Sequence, residues 1–125
     1  MSPALNKVQI IGNLGKEPET RSTPTGKNVT SFSVAVNRRW KDASGDAKEA
    51  TDWFNVEAWA RLGEVCKEHL HKGSLVYIEG RMQIDQYEKD GDTKHFTKLI
   101  AGEVQFLDRK GQADVTAPQE EIPDL

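Results

Sequence analysis

Residues 51–80 read TDWFNVEAWARLGEVCKEHLHKGSLVYIEG, and the spacing of apolar residues changes twice along them. From 51 to 60, Phe54, Val56 and Ala58 alternate with Trp53, Asn55, Glu57 and Trp59, the two-residue period of a strand. Leu62, Val65, Cys66, His69 and Leu70 then fall at i, i+3, i+4, i+7 and i+8, which is one side of a helix. Lys72-Gly73 ends the helix, because glycine accepts the left-handed conformation such a stop needs. From 74 to 87 the strand period returns, with Val76, Ile78, Met82 and Ile84 set against Tyr77, Glu79, Arg81, Gln83 and Asp85.

Upstream, Val8, Ile10, Gly12 and Leu14 predict a strand over 5–14, with Gly12 marking a bulge. Residues 15–27 are rich in Pro, Gly, Ser and Thr and read as a loop. A strand over 28–40 places Phe32, Val34 and Val36 on one face and Ser31, Ser33 and Ala35 on the other. Residues 41–50 are polar around Ser44-Gly45-Asp46 and read as a long hairpin loop. Downstream, Asp90-Gly91 tolerates the positive φ of a hairpin turn, and a last strand covers 94–107. The order β-β-β-α-β-β predicts an all-β fold: a five-stranded Greek-key barrel of the oligonucleotide/oligosaccharide-binding (OB) type, with one helix between strands three and four. A β-sandwich ordinarily needs more strands and no central helix. Residues 1–110 form the expected domain. Residues 111–125 lose all periodicity, carry few bulky apolar side chains and form an expected disordered acidic tail.

The 125 residues fit one domain, too few for a two-domain enzyme. Apolar runs are only a few residues long and the start has no apolar stretch behind a basic one, so neither a membrane span nor a secretory signal is expected. Cys66 is the one cysteine, which points to a reducing, cytoplasmic setting without disulfides. Its place on the apolar helix face makes it a core residue rather than a nucleophile. His69 and His71 do not face each other on a helix, His95 stands alone, and Gly12 and Gly15 lack the lysine and spacing of a phosphate loop. No enzyme, metal or cofactor is therefore expected.

The formal charge of −3 is unevenly distributed. Residues 1–41 carry seven Lys/Arg and two acids, whereas 111–125 carry four acids and no base. Such a pattern says more about binding a polyanion than the total does. The aromatic residues follow it. Trp53 and Trp59 share a strand face with Asn55 and Glu57, and a buried face does not readily take unpaired polar groups. Trp40 stands beside Arg38, Arg39 and Lys41, and Tyr87 closes the fourth strand. Rings interleaved with cations suit single-stranded nucleic acid, whose bases stack on them while the cations follow the phosphates. The indoles could equally cover barrel ends or a subunit contact, and a protein-interaction or primosome-assembly module of the same fold is the alternative.

Several separated motifs also resemble the bacterial-type single-stranded DNA-binding proteins. They are Asn6-Lys7-Val8, Gly12-Asn13-Leu14-Gly15, Pro18-Glu19-Thr20-Arg21 with Gly26, Thr51-Asp52-Trp53-Phe54-Asn55-Val56, and Lys72-Gly73-Ser74-Leu75-Val76-Tyr77-Ile78-Glu79-Gly80. The resemblance covers about residues 5–107. It implies an OB fold, a homotetramer, and binding of single-stranded DNA with little sequence preference during replication, recombination and repair. The family's stacking aromatics fall on Trp40, Trp53, Trp59 and Tyr87. Trp59 stands where Phe is common and Tyr87 where Trp is, so both remain aromatic. Asp85, Gln86 and Asn55 stand where basic residues are frequent. Lys7, Arg21, Arg38, Lys41, Lys72, Arg81 and Lys94 are the candidate phosphate contacts. The chain ends Glu120-Glu121-Ile122-Pro123-Asp124-Leu125, similar to the family's acidic, partner-docking tip, with an interposed Asp and Leu for Phe. Replication and repair proteins are its implied partners and the nucleoid its implied place.

Overall fold

The computed structural model describes residues 3–108. Its elements are β1 (Val8–Leu14), β2 (Glu19–Ser22), β3 (Asn28–Lys41), β4 (Ala47–Trp59), α1 (Ala60–His69), β5 (Leu75–Lys89) and β6 (Asp92–Phe106). The sheet order is β1-β5-β6-β4-β3-β2, and β1 also pairs with β3. That last pairing closes a five-stranded barrel from β1, β3, β4, β5 and β6, as expected, and leaves β2 as a short flap on β3. All contacts between neighbouring barrel strands are antiparallel except β4 with β6.

The core is built from the alternating positions: Ile10, Leu14, Phe32, Val34, Val56, Ala58, Val76, Ile78 and Leu99, capped by Cys66 and Leu70 from the helix end of the barrel. The helix lies so close to the sheet that a Cβ on Gly63 would stand 2.4 Å from the Ala58 carbonyl oxygen. Thr30 Oγ1 donates to the Gly63 carbonyl at 3.0 Å, so the hydroxyl is satisfied inside the core. Burial pushes the Cys66 thiol up to about 11, which makes it an inert packing group.

Four local expectations are corrected. The 15–27 loop contains β2, which pairs Glu19–Ser22 with Asn28–Ser31; all four of its residues are exposed, so no apolar alternation announces it. Half of 41–50 is strand: β3 and β4 stay paired out to Lys41↔Ala47, and only Asp42–Asp46 forms the turn. Asp42 Oδ1 accepts from the Ser44 and Asp46 amides, and Gly45 sits at φ +86°. A polar two-stranded ribbon beyond the barrel buries neither face, so hydropathy cannot separate it from a loop. The bulge lies at Glu79/Gly80, where a Cβ would come within 2.0 Å of the Ile100 carbonyl oxygen, not at Gly12. Gly12 instead permits the β1–β3 seam, the Ala35 oxygen lying 2.2 Å from its would-be Cβ. Finally, His69 is exposed and its ring lies 5.3 Å from that of Phe106, so it leaves the helix's buried face.

Candidate nucleic-acid interface

Paired residues of a ladder point their side chains to the same face of a sheet. The register Ala35↔Trp53, Ser33↔Asn55, Ser31↔Glu57 therefore gathers small polar side chains beside Trp53 on the barrel's outer face. On β5 and β6 the pairs Gln83↔Lys98, Asp85↔Phe96 and Tyr87↔Lys94 extend an arm in the same manner. Trp53 is 59 % exposed, and its ring leans over Gly15, where a Cβ would stand 2.6 Å from Cζ3. The loop before β2 thus keeps a glycine where the indole lies against its backbone. Between these elements lies a depression of about 280 Å³, floored by Ser31, Ser33, Asn55 and Glu57 and walled by Phe96 and Lys98.

Of the residues singled out in the sequence, Arg21 also lines this depression, and Tyr87 with Lys94 stands farther along the β5–β6 arm. Trp59 is half-buried opposite the fully buried Val29. Trp40 sits elsewhere. Its register partner Lys48 puts it on the opposite face of the β3–β4 ribbon from Trp53, with the Arg38 guanidinium 5.1 Å from its ring centroid. Arg38 in turn donates to Asp52 at 2.8 Å, and Lys41 marks the ribbon's end. Lys7 pairs with Glu79 on the β1–β5 wall, where Tyr77 donates to Glu79 at 2.7 Å and holds that carboxyl below its ordinary range. The Lys72 amide donates to Glu17, and Arg81 donates to Gln83. The tail residues Glu120–Leu125 lie outside the described residues.

Glu57 corrects the expectation that the polar residues beside the tryptophans are exposed. It is only 7 % exposed. Arg21 Nη2 reaches its Oε2 at 3.2 Å, and Lys98 Nζ reaches the same oxygen at 3.3 Å and Asp85 Oδ2 at 3.1 Å. Burial alone would pull the Lys98 ammonium down, but Asp85 and Glu57 outweigh it and hold the group above its ordinary value. A hydrogen bond from Gln83, then Lys98, holds Asp85 below its own.

Phe96, 45 % exposed on the same face, is a site candidate that the sequence reading passed over. Its signal was present: Lys94, Phe96 and Lys98 alternate a ring with cations, and Trp40 likewise stands beside Arg38 and Lys41 on β3. Among the described residues, no three His, Cys, Asp or Glu side chains gather as a metal site, and no helix is long and apolar enough to cross a membrane.

An open aromatic face on a closed five-stranded barrel defines an OB-type binding protein. The sequence model of the single-strand binding protein family matches residues 5–107, and the chain belongs to that family. It is 40 % identical over 119 residues to single-stranded DNA-binding protein 1 of Chlorobaculum tepidum, covering 94 % of this chain and 74 % of that one. It is also 40 % identical to single-stranded DNA-binding protein 2 of Streptococcus agalactiae, covering 94 % and 98 %. Among solved structures, that of a Plasmodium falciparum SSB complex with ssDNA superposes with a TM-score of 0.81 at 29 % identity, covering 86 % of this chain and 99 % of that one. A deletion variant of the single-stranded DNA binding protein from Thermus aquaticus gives 0.75 at 33 % identity, covering 86 % and 52 %. These relatives are named for binding, not for a reaction, and the chain is a binding protein rather than an enzyme.

Proposed function

We propose that this chain binds single-stranded DNA with little sequence preference, by stacking bases on Trp40, Trp53, Trp59 and Tyr87 while basic side chains follow the phosphates. The observation that carries the reading is the 59 % exposure of Trp53 on a face shared with small polar residues and Phe96. An indole left in water on a stable barrel is a stacking platform, and stacking selects strands whose base faces are open. The Plasmodium structure, a complex with ssDNA on the same fold, supports it. Lys94, Arg38 and Lys41 flank the rings, and Arg21, Lys7, Lys72 and Arg81 complete the phosphate set. Tryptophan fluorescence tests the proposal: oligo-dT should quench it strongly and duplex DNA weakly. Equal quenching by both would refute stacking.

The finer reading places the chain in replication, recombination and repair at the nucleoid, in the cytoplasm, as a homotetramer whose tail, Glu120–Leu125, recruits partner proteins. The domain bounds go with it: 1–110 for DNA and 111–125 for partners. A subunit contact is supported at β1, which pairs β5 along Val8–Asn13 but meets β3 only at Asn13 and Leu14. Its outer side carries Ile11, 41 % exposed, and an open strand edge invites pairing with another copy. Sedimentation equilibrium decides this part, since a stable monomer would refute it. Removing residues 120–125 should leave DNA affinity in place while abolishing capture of replication and repair proteins.

A further inference from the structure

Trp40, Arg38 and Asp52 share one face of the β3–β4 ribbon. The register pairs Val36 with Asp52, Arg38 with Ala50 and Trp40 with Lys48, so the three side chains follow one another along that face. Arg38 Nε donates to Asp52 Oδ2 at 2.8 Å, and its Cζ stands 5.1 Å from the centre of the Trp40 ring, within cation–π range. Asp52 engages the Nε–H alone. Among the described residues nothing accepts a hydrogen bond from Arg38 Nη1 or Nη2, and the side chain is 56 % exposed. A carboxylate gripping the terminal nitrogens would compete with a phosphate for them. One bonded at Nε instead holds the guanidinium and leaves both terminal nitrogens for an incoming oxyanion. Residues 37–41 are all exposed, so burial does little to order so long a side chain.

We propose that Asp52 is a positioning residue for single-stranded DNA: it holds Arg38 as a phosphate fork over Trp40, so that this face presents a cation and a stacking ring in fixed relation. The proposal rests on the single-strand reading above and adds a residue that acts through Arg38. Its sign opposes that of charge alone. An acid beside phosphates repels them, so charge assigns Asp52 a penalty. The geometry assigns it a contribution that lasts while an acceptor stands at this position, because an arginine ordered in advance loses less rotamer freedom when DNA arrives. Arg39 supplies the contrast: it pairs with Glu49 at 3.4 Å on the opposite face of the ribbon, both side chains being at least 70 % exposed.

The test uses the full chain and a labelled oligo-dT of one length, read by anisotropy. Asp52→Asn and Asp52→Ala both remove the charge, but only asparagine keeps an oxygen for the Arg38 Nε–H. Comparing these two variants therefore cancels the charge effect. Asp52→Ala should bind about 2- to 10-fold more weakly than Asp52→Asn, the cost of ordering one rotamer-rich side chain on binding. In an Arg38→Ala background the two should bind alike, and Glu49→Gln should match Glu49→Ala. If wild type binds while Asp52→Ala binds as tightly as Asp52→Asn or more so, the positioning role is wrong and the single-strand reading stands. If wild type does not bind, that reading fails and the proposal with it. A difference that persists without Arg38, or that recurs at Glu49, overturns the assignment to the Arg38–Trp40 stack. The Asp52 side chain is 46 % exposed, so the variants should fold, which circular dichroism checks. Should alanine not fold, Asp52→Val takes its place, being uncharged, without an acceptor and well suited to a strand.

Discussion

Lys98 Nζ lies 3.3 Å from Glu57 Oε2, an ion pair across two adjacent parallel strands with both side chains at least 85 % withdrawn from water. Asp85 holds Lys98 from β5, and Arg21 holds Glu57 from β2. One charge cluster therefore ties the flap, the barrel and the β5–β6 arm together. Breaking a buried pair strands its survivor, whereas replacing both partners by apolar groups can be neutral. Lys98→Met should lower stability by about 2–3 kcal/mol, below the ~3–5 of a fully stranded charge because Arg21 still reaches Glu57. The double variant Glu57→Leu/Lys98→Met should lose less than the two single losses combined. Urea denaturation of the four proteins measures both effects, and simple additivity would contradict the coupling.

Asp85 adds a pH dependence. Hydrogen bonding from Gln83 and the nearby Lys98 hold its folded-state carboxyl below the ordinary 3.8. A depressed carboxyl stabilises the fold above its unfolded pKa, and that contribution is lost as pH falls through the folded value. Stability should therefore decline more steeply below about pH 4 in the wild type than in Asp85→Asn. Because Asp85 is 44 % exposed, the difference should be small and should shrink in high salt. Thermal melts from pH 5 downward at two salt concentrations check this.

At Gly63 two effects oppose each other. Alanine favours a helix interior over glycine by about 1 kcal/mol. Its Cβ, however, would stand 2.4 Å from the Ala58 carbonyl oxygen and 2.9 Å from Thr30 Oγ1. Backbone cannot yield as a flexible side chain can, so the clash should win. Gly63→Ala should be destabilised by about 1–2 kcal/mol, overpacking less the propensity gain. A melting temperature at or above wild type would show that the helix can lift off β4 freely.

Phe96→Ala and Trp53→Ala report on the face directly. Each ring is well exposed, so the barrel should melt within a few degrees of wild type. Single-strand affinity should fall by about 1–3 kcal/mol for a ring that stacks a base. A labelled oligo-dT followed by anisotropy gives the number. A Phe96→Ala variant with wild-type affinity would remove that ring from the interface. A Trp53→Ala variant that dissociates into smaller oligomers would make its face a subunit contact.

Raising salt from about 50 to 200 mM should weaken DNA binding, because each phosphate neutralised by Lys or Arg releases counterions. Arg38→Ala and Lys94→Ala should each make the slope of log K against log salt shallower. A salt-independent titration would remove the phosphate contacts from the proposal.

The strand–helix–strand order of 51–80 was legible because burial imposes a period, and the core face of each barrel strand can be read from it. Trp53 and Tyr87 stood out since large rings beside polar residues break that pattern. Phe96 carried the same signal on a strand whose outer half buries nothing. The flap at 19–22 and the ribbon at 41–50 were not legible, because strands exposed on both faces have no apolar alternation to display.

Thus the order of apolar, aromatic and turn-forming residues alone determined an OB-type barrel with its helix in place, since period and connection length are local properties of the chain. Tertiary structure decided that Glu57 is buried, that Lys98, Asp85 and Arg21 converge on it, and that Trp40 and Trp53 face opposite ways. Those facts depend on register between residues up to 41 positions apart, and on the Arg21 side chain of the flap reaching past β3 to Glu57 on β4. A carboxylate reads as polar in any sequence; only the charges folded around it determine whether it meets water.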